Sequence, residues 1–395
     1  MIPKIKISSG TAAYFTAYTS LGLMSASLGP TLPGLAAHAG VNLSAVSILF
    51  PAKSVGVMIG SFFGGRLYDR VPAHRLMATV LFLMALMLAF IPTISMVWFM
   101  AGAMLILGIT EGALDAGGNI LIIWEHGKKV APFMNGLHFF YGLGAFISPI
   151  IIAQALANTN DINLAYWVLT CLILPIAILI FRIPNPPPRK VAKKGEGAKA
   201  DVTLIVLIAS FMFLFVGAEI SFGNWIYTFA KASGIGTITS SAYLTSCFWG
   251  ALTLGRLVSI PLATRFKIST ILLADLICGI ISVGIVLVFP ASQAAVWVGT
   301  FLTGFAFASI FPTMYTLASS HMVITGKVTG WLFIGSGAGG MVLPWIIGQL
   351  FESIGPWVTI TGIFIDTVIA TGVFLFLLVI LKRRELKTEL VLEIK

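Results

Sequence analysis

The chain has 395 residues, 58% of them hydrophobic and 10% charged, with a formal net charge of +10. That apolar excess excludes soluble enzymes and soluble binding modules, which cannot bury so much hydrocarbon. The cations do not form a nucleic-acid surface either, since they gather in short stretches between apolar runs.

Crossing a hydrocarbon core about 30 Å thick takes roughly 20 apolar residues, and only helices or closed barrels satisfy their own backbone there. The runs here are long and continuous, so they predict an all-α membrane protein with twelve transmembrane helices. Span 1 (11–36) extends past signal-peptide length without a small-residue cleavage site; it offers Tyr18, Ser25 and Ser27 but no carboxylate. Span 2 (44–66) buries Lys53 about ten residues from its outer end, just after Pro51. A lone lysine at that depth must pair or lose its proton, and Glu111 or Asp115 is the expected partner. Gly65-Arg66-Leu67-Tyr68-Asp69-Arg70 closes the span, and Arg75 opens span 3 (75–92).

Span 4 (97–123) is the richest in polar groups. Glu111, Asp115 and Asn119 stand at i, i+4 and i+8 and share one helix face. Two carboxylates this close in low dielectric need a cation: a proton, a metal ion or the fixed Lys53. Such a face serves coupling or substrate binding, or it is a structural ion-pair surface. Span 5 (130–157) sets Asn135, His138 and Tyr141 at helical spacing, and His138 either relays protons or is a packed polar group. Span 6 covers 163–182. Residues 184–201 are rich in proline and lysine and read as a cytoplasmic linker. They divide an N-terminal six-helix half (1–183) from a C-terminal half with a short basic tail (202–395).

Span 7 (202–230) holds Glu219 near mid-depth, with Asn224 and Trp225 beyond it. An aromatic face beside amides and carboxylates suits a sugar, whereas a tryptophan alone suits an interfacial belt. Spans 8 to 12 cover 238–262, 268–289, 294–319, 327–351 and 355–381. Tyr243, Ser246, Trp249 and Trp331 are further cavity candidates, while Asp275 and Asp366 are expected in structural pairs. Cys171, Cys247 and Cys278 are expected to pack rather than form disulfides. The sequence holds no metal-ligand cluster, phosphate loop or catalytic constellation, so no enzyme is expected. All 24 lysines and arginines except Lys53 and Lys231 fall at the N-terminus, the even-to-odd connections, the linker or the tail. The positive-inside rule then places both termini in the cytoplasm.

The halves repeat at a nearly constant offset. Gly22 and Gly29 answer to Gly217 and Gly223, Gly65-Arg66-Leu67 to Gly255-Arg256-Leu257, Gly108 to Gly304, and Gly136 and Pro149 to Gly330 and Pro344. Parallel six-span repeats place a substrate site between the halves.

The loop from Gly65 to Arg75 resembles the loop-2/3 signature of the major facilitator superfamily, with Pro72 where that family usually has glycine. The resemblance implies that Arg66, Asp69, Arg70 and Arg75 form a cytoplasmic gate. Residues 217–225, with Glu219, Asn224 and Trp225, and residues 309–313, with Pro312, resemble spans 7 and 10 of the fucose–proton symporter group. Residues 29–33, 112–119 (with Asp115 and Asn119) and 137–146 (with His138 and Tyr141) resemble its sodium-dependent glucose transporter branch. What this implies is a monomeric secondary transporter in the plasma membrane, the inner membrane of a bacterium. It would take up a monosaccharide such as glucose, galactose or fucose with sodium or a proton, by alternating access. Glu111, Asp115 and Lys53 would couple the ion, with sodium at Glu111 and Asp115 or a proton there. Asn119, Asn135, His138, Glu219, Asn224 and Trp225 would line the site for this small polar solute; no other cofactor is expected.

One departure stands out. Sugar–proton members carry an acid in span 1 that is missing here, which leaves sodium, a site at Asp115, or uncoupled facilitation open. The rival reading is a proton-coupled exporter of drugs or metabolites, whose span-5 Gly-Pro ending is only partly met by Ser148-Pro149. A non-transporting sensor is the second rival.

Overall fold

The computed structural model describes residues 8–186, 201–323 and 325–393. Among the described residues there are fifteen α-helices and no strand. The first half comprises α1 (Ser9–Ser25), α2 (Leu28–His38), α3 (Leu43–Val46), α4 (Leu49–Tyr68), α5 (Ala73–Phe90), α6 (Val97–His126), α7 (Ala131–Thr159) and α8 (Ile162–Arg182). The second comprises α9 (Val202–Ala232), α10 (Ile238–Ala263), α11 (Ile268–Val288), α12 (Gln293–Phe307), α13 (Ile310–His321), α14 (Gly326–Ile354) and α15 (Trp357–Glu393). Eleven stretches are long and apolar enough to cross a membrane. The twelfth crossing is α1 and α2 taken together. Successive crossings alternate, so the connections after the even-numbered ones share one side, which carries Arg70, Arg75, Lys129, Arg265 and Lys267. It is the basic side; the opposite side is poor in charge.

Three predicted spans are interrupted. Helix stops for two residues between α1 and α2, α3 and α4, and α12 and α13, and each time restarts two residues ahead of a proline: Pro30, Pro51 and Pro312. Proline has no N–H for the carbonyl one turn back. A restart there puts it among the first four residues of a helix, whose N–H groups need no partner inside that helix. Hydroxyls take up carbonyls that the breaks release: Ser27 donates to the Met24 carbonyl (2.7 Å) and Ser47 to that of Ser44 (2.7 Å).

Within the first half, α1 packs on α6 and α7, α4 on α6, and α5 on α8; within the second, α9 packs on α14 and α15, and α10 on α12. The repeated glycines explain much of this. A methyl group at Gly22 would strike the Tyr141 backbone of α7, and one at Gly217 would crowd α14, coming within 3.2 Å of the Gly339 carbonyl oxygen. At Gly108 it would strike the Lys53 carbonyl of α4, and at Gly304 the Phe248 carbonyl of α10. Equivalent glycines therefore close equivalent helix pairs, backbone against backbone. The pairs Gly29/Gly223 and Gly136/Gly330 do not behave alike: Gly29 abuts Asn224 across the interface, and Gly330 has no neighbour within 4 Å. The halves meet where α4 lies on α14, α7 on α10, and α2 on α9.

Several expectations need correcting. The tail does not end span 12; it continues α15, and Arg384 bonds the carboxylate of Asp201 at the foot of α9. Cys171 and Cys278 are exposed on the helix surface rather than packed, and only Cys247 is partly covered. Asp275 accepts from the Ser309 hydroxyl, but the buried Oδ2 of Asp366 has no hydrogen-bond partner among the described residues, so the expected pair is missing. Most of the predicted linker, residues 187–200, lies outside the described residues.

Candidate functional site

The site begins with a close approach of two helices. Gly108 and Gly112 let α6 lie directly on the α4 backbone, against the carbonyls of Lys53 and Val57. Glu111 lies one helical turn from Gly108, so it faces the start of α4. There Lys53 Nζ is 3.1 Å from Glu111 Oε2, each side chain about 15% exposed. The other carboxylate oxygen accepts from the Ser25 hydroxyl at 2.7 Å, and Ser25 accepts from the Tyr141 hydroxyl at 3.1 Å. Tyr141, Ser25 and Glu111 thus form a hydroxyl chain ending on a charged pair. Ser25 is the last residue of α1, just before the break.

Asp115, one turn further toward the basic side, has only neutral partners among the described residues. The Tyr18 hydroxyl donates to its Oδ1 (2.9 Å) and its backbone carbonyl (2.8 Å). The Asn119 amide donates to the same two acceptors and to the Tyr18 hydroxyl, at 2.9–3.2 Å. Of the two acids on this face, Glu111 therefore holds the fixed cation and Asp115 holds none.

The second half supplies its own pair. Arg256 of α10 stands 3.9 Å from Glu219 of α9, with side-chain exposures of 28% and 11%. Sequence reasoning counted Arg256 among the basic-side cations, as the partner of Arg66 in the repeat. It lies instead two turns inside α10, on the helix that crosses against α7. The signal that was overlooked is depth: its position within span 8 matches an acid at mid-depth of span 7. Tyr141 joins the first pair through Ser25, and its neighbour Gly142 abuts Thr253, almost one turn from Arg256 on α10. His138, one turn from Tyr141, sets its ring edge-on to Tyr18, with centroids 6.0 Å apart. Asn135 is exposed, one turn nearer the basic side.

Two predicted site residues belong to a plug on the charge-poor side. Trp225 is fully buried; its indole N–H donates to the Pro344 carbonyl (3.1 Å), and its ring stacks on Phe351 and tilts against Phe50. Asn224 turns its amide back to the Ile220 carbonyl, with its backbone against Gly29. The halves are also hydrogen-bonded here. Gln349 donates to the Ser44 carbonyl (2.8 Å) and the Ser47 hydroxyl (3.0 Å) and accepts from the Ser44 hydroxyl (2.9 Å). Glu352 accepts the Leu43 N–H at 2.9 Å, and Gln154 donates to the Tyr243 hydroxyl.

Nearer the basic side the approach loosens. Gly337 still meets Met58, but Gly330, two turns on, meets nothing within 4 Å, and Trp331 beside it is half exposed. Arg66, Asp69, Arg70 and Arg75 are all exposed. Arg66 bonds the Phe62 carbonyl (3.0 Å) and lies 3.7 Å above the Phe62 ring, while Asp69 forms no ion pair among the described residues. Among the described residues, the hydrogen bonds between the halves all lie on the charge-poor side. No group of three or more His, Cys, Asp or Glu suited to a metal occurs among the described residues.

The family model of the Major Facilitator Superfamily matches residues 13–343. The chain is 29% identical over 374 residues to the mouse protein called sodium-dependent glucose transporter 1A, covering 85% of this chain and 88% of the relative. It is 28% identical to the human sodium-dependent glucose transporter 1, over 84% of this chain and 72% of the other. Zebrafish major facilitator superfamily domain-containing protein 4A is 25% identical, over 87% and 83%. Among solved structures, the nucleoside transporter NupG superposes with a TM-score of 0.72 at 11% identity, covering 95% of this chain and 100% of that one.

Proposed function

We propose that this chain, which belongs to the Major Facilitator Superfamily, is a secondary transporter that takes up a monosaccharide together with sodium or a proton. The observation that carries the reading is a charged pair in the interior of each half, Lys53–Glu111 and Arg256–Glu219, the first joined through Ser25 to the Tyr141 hydroxyl. Ionisable groups are costly at membrane depth and mark solute pathways. The names of the relatives favour glucose and sodium within that class.

By the positive-inside rule the basic side is the cytoplasm, with both termini there, so the conformation described above is inward-facing. The solute leaves past Trp331 and Gly330, and the plug around Trp225 and Gln349 keeps the outside closed. In the opposite state the plug opens, and Arg66, Asp69, Arg70 and Arg75 gain partners as the basic side closes. A proton or sodium ion binds at Glu111 and Asp115. At Glu111 it must compete with Lys53, and at Asp115 only with the neutral donors Tyr18 and Asn119. Asn119, Asn135, His138 and Glu219 contribute polar groups to the solute.

The test is uptake of labelled glucose, galactose and fucose into proteoliposomes, with sodium and proton gradients imposed separately. Accumulation under one gradient supports the reading and names the ion. Folded protein that takes up none of the three refutes it and turns the search to exported solutes.

A further inference from the structure

The two charged pairs are not equivalent. Lys53 and Glu111 are in contact, and Glu111 is further satisfied by Ser25. Arg256 and Glu219 stand at 3.9 Å, too far for a direct hydrogen bond. Neither side chain makes a hydrogen bond among the described residues, although Glu219 is 8% exposed and Arg256 only partly exposed. A guanidinium with five donors and a carboxylate with about four acceptor sites are thus held side by side with their hydrogen-bonding capacity unspent. None of their unbonded polar atoms is sealed from the surface, so both groups stay open to a solute.

We infer that Arg256 and Glu219 form a clamp for adjacent hydroxyl groups of a neutral solute, and that Arg256 determines which hydroxyl pattern is accepted. The pair is neutral as a whole, so an anion would be repelled by Glu219 and a cation by Arg256. A vicinal diol suits both: one hydroxyl donates to the carboxylate while its neighbour accepts from the guanidinium. The planar fork matters, because a lysine at this position would keep the charge but lose the paired donors. Gly142 of α7 abuts Thr253, almost one turn from Arg256 on α10, so the clamp faces the seam where the halves meet. Tyr141, next to Gly142, reaches the Lys53–Glu111 pair through the Ser25 hydroxyl. This deepens the sugar reading above and rests on it.

The test uses purified full-length protein and D-glucose, D-galactose and L-fucose, followed by derivatives of whichever binds with each hydroxyl in turn replaced by hydrogen. Dissociation constants are measured for wild type, Arg256→Lys and Glu219→Gln; each variant must elute as folded protein, and either one suffices. The expected loss is roughly 10- to 100-fold for each variant, the size of one hydrogen bond to a charged group. One deoxy derivative should lose no further affinity in the variant, because the hydroxyl it lacks is the one the clamp held. A purely structural pair would leave the two losses multiplying for every derivative, and that result overturns the clamp while sparing the sugar reading. Wild type that binds none of the three sugars overturns both.

Discussion

Lys53 and Glu111 meet at 3.1 Å because the carbonyl of that same lysine seats Gly108, one turn along α6 from the acid. Packing and charge pairing therefore depend on one contact. Removing one member of such a pair strands a mostly buried charge. Lys53→Met should cost about 3–5 kcal/mol, whereas Lys53→Met with Glu111→Gln should recover most of it. Thermal unfolding in detergent measures both. A double variant no more stable than the single one would show that the pair is not coupled.

Glu111→Gln keeps the Ser25 hydrogen bond available but strands Lys53, so it should fold with a loss of stability similar to that of Lys53→Met. It should retain downhill exchange of solute but lose gradient-driven accumulation. Full accumulation by this variant would remove Glu111 from the coupling role and leave Asp115.

The glycine contacts predict unequal tolerance within one helix. Gly108→Val drives a side chain into the Lys53 carbonyl and should prevent stable folding. Gly102→Val, on the same helix with nothing within 4 Å, should change stability by no more than about 0.5 kcal/mol. Yield of monodisperse protein separates the two. Equal behaviour would contradict the backbone contact.

Gln349 joins α14 to Ser44 and Ser47 across the charge-poor side. Gln349→Ala loses these bonds, worth about 1–2 kcal/mol in total, and should shift the balance toward the state open on that side by roughly 5- to 30-fold. A cysteine placed near Ser44 reports this through its rate of labelling by an impermeant reagent. An unchanged rate would mean that the aromatic plug of Phe50, Trp225 and Phe351 holds the seal alone.

The bond from Arg384 holds the Asp201 carboxyl below its ordinary range. Its charged form is thus favoured in the folded protein. The tie is complete above the ordinary aspartate value of about 3.9 and fades as pH falls through the lower, folded value. The pair is exposed, so Asp201→Asn should alter overall stability by less than about 1 kcal/mol. Hydrogen exchange at the foot of α9 should nonetheless rise at neutral pH in the variant, and only on acidification in wild type. Identical exchange at all pH values would dismiss the tie.

The membrane class, the twelve crossings and their repeat were legible in the residue order, because hydrocarbon enforces long apolar helices and close packing enforces glycine at fixed places. The residue order also narrowed Lys53 to two partners, since a lone buried cation must find an acid. The choice of Glu111 over Asp115 came from the folded chain, through the register in which α6 lies on α4. Folding also broke spans 1, 2 and 10 ahead of Pro30, Pro51 and Pro312, a local cost that hydropathy does not register. It moved Trp225 from the expected site into the plug and drew Arg256 out of the basic-side cations to stand beside Glu219. Both depend on which way a helix is turned against neighbours from the other half of the chain, and a linear pattern of apolar residues carries little information about that rotation.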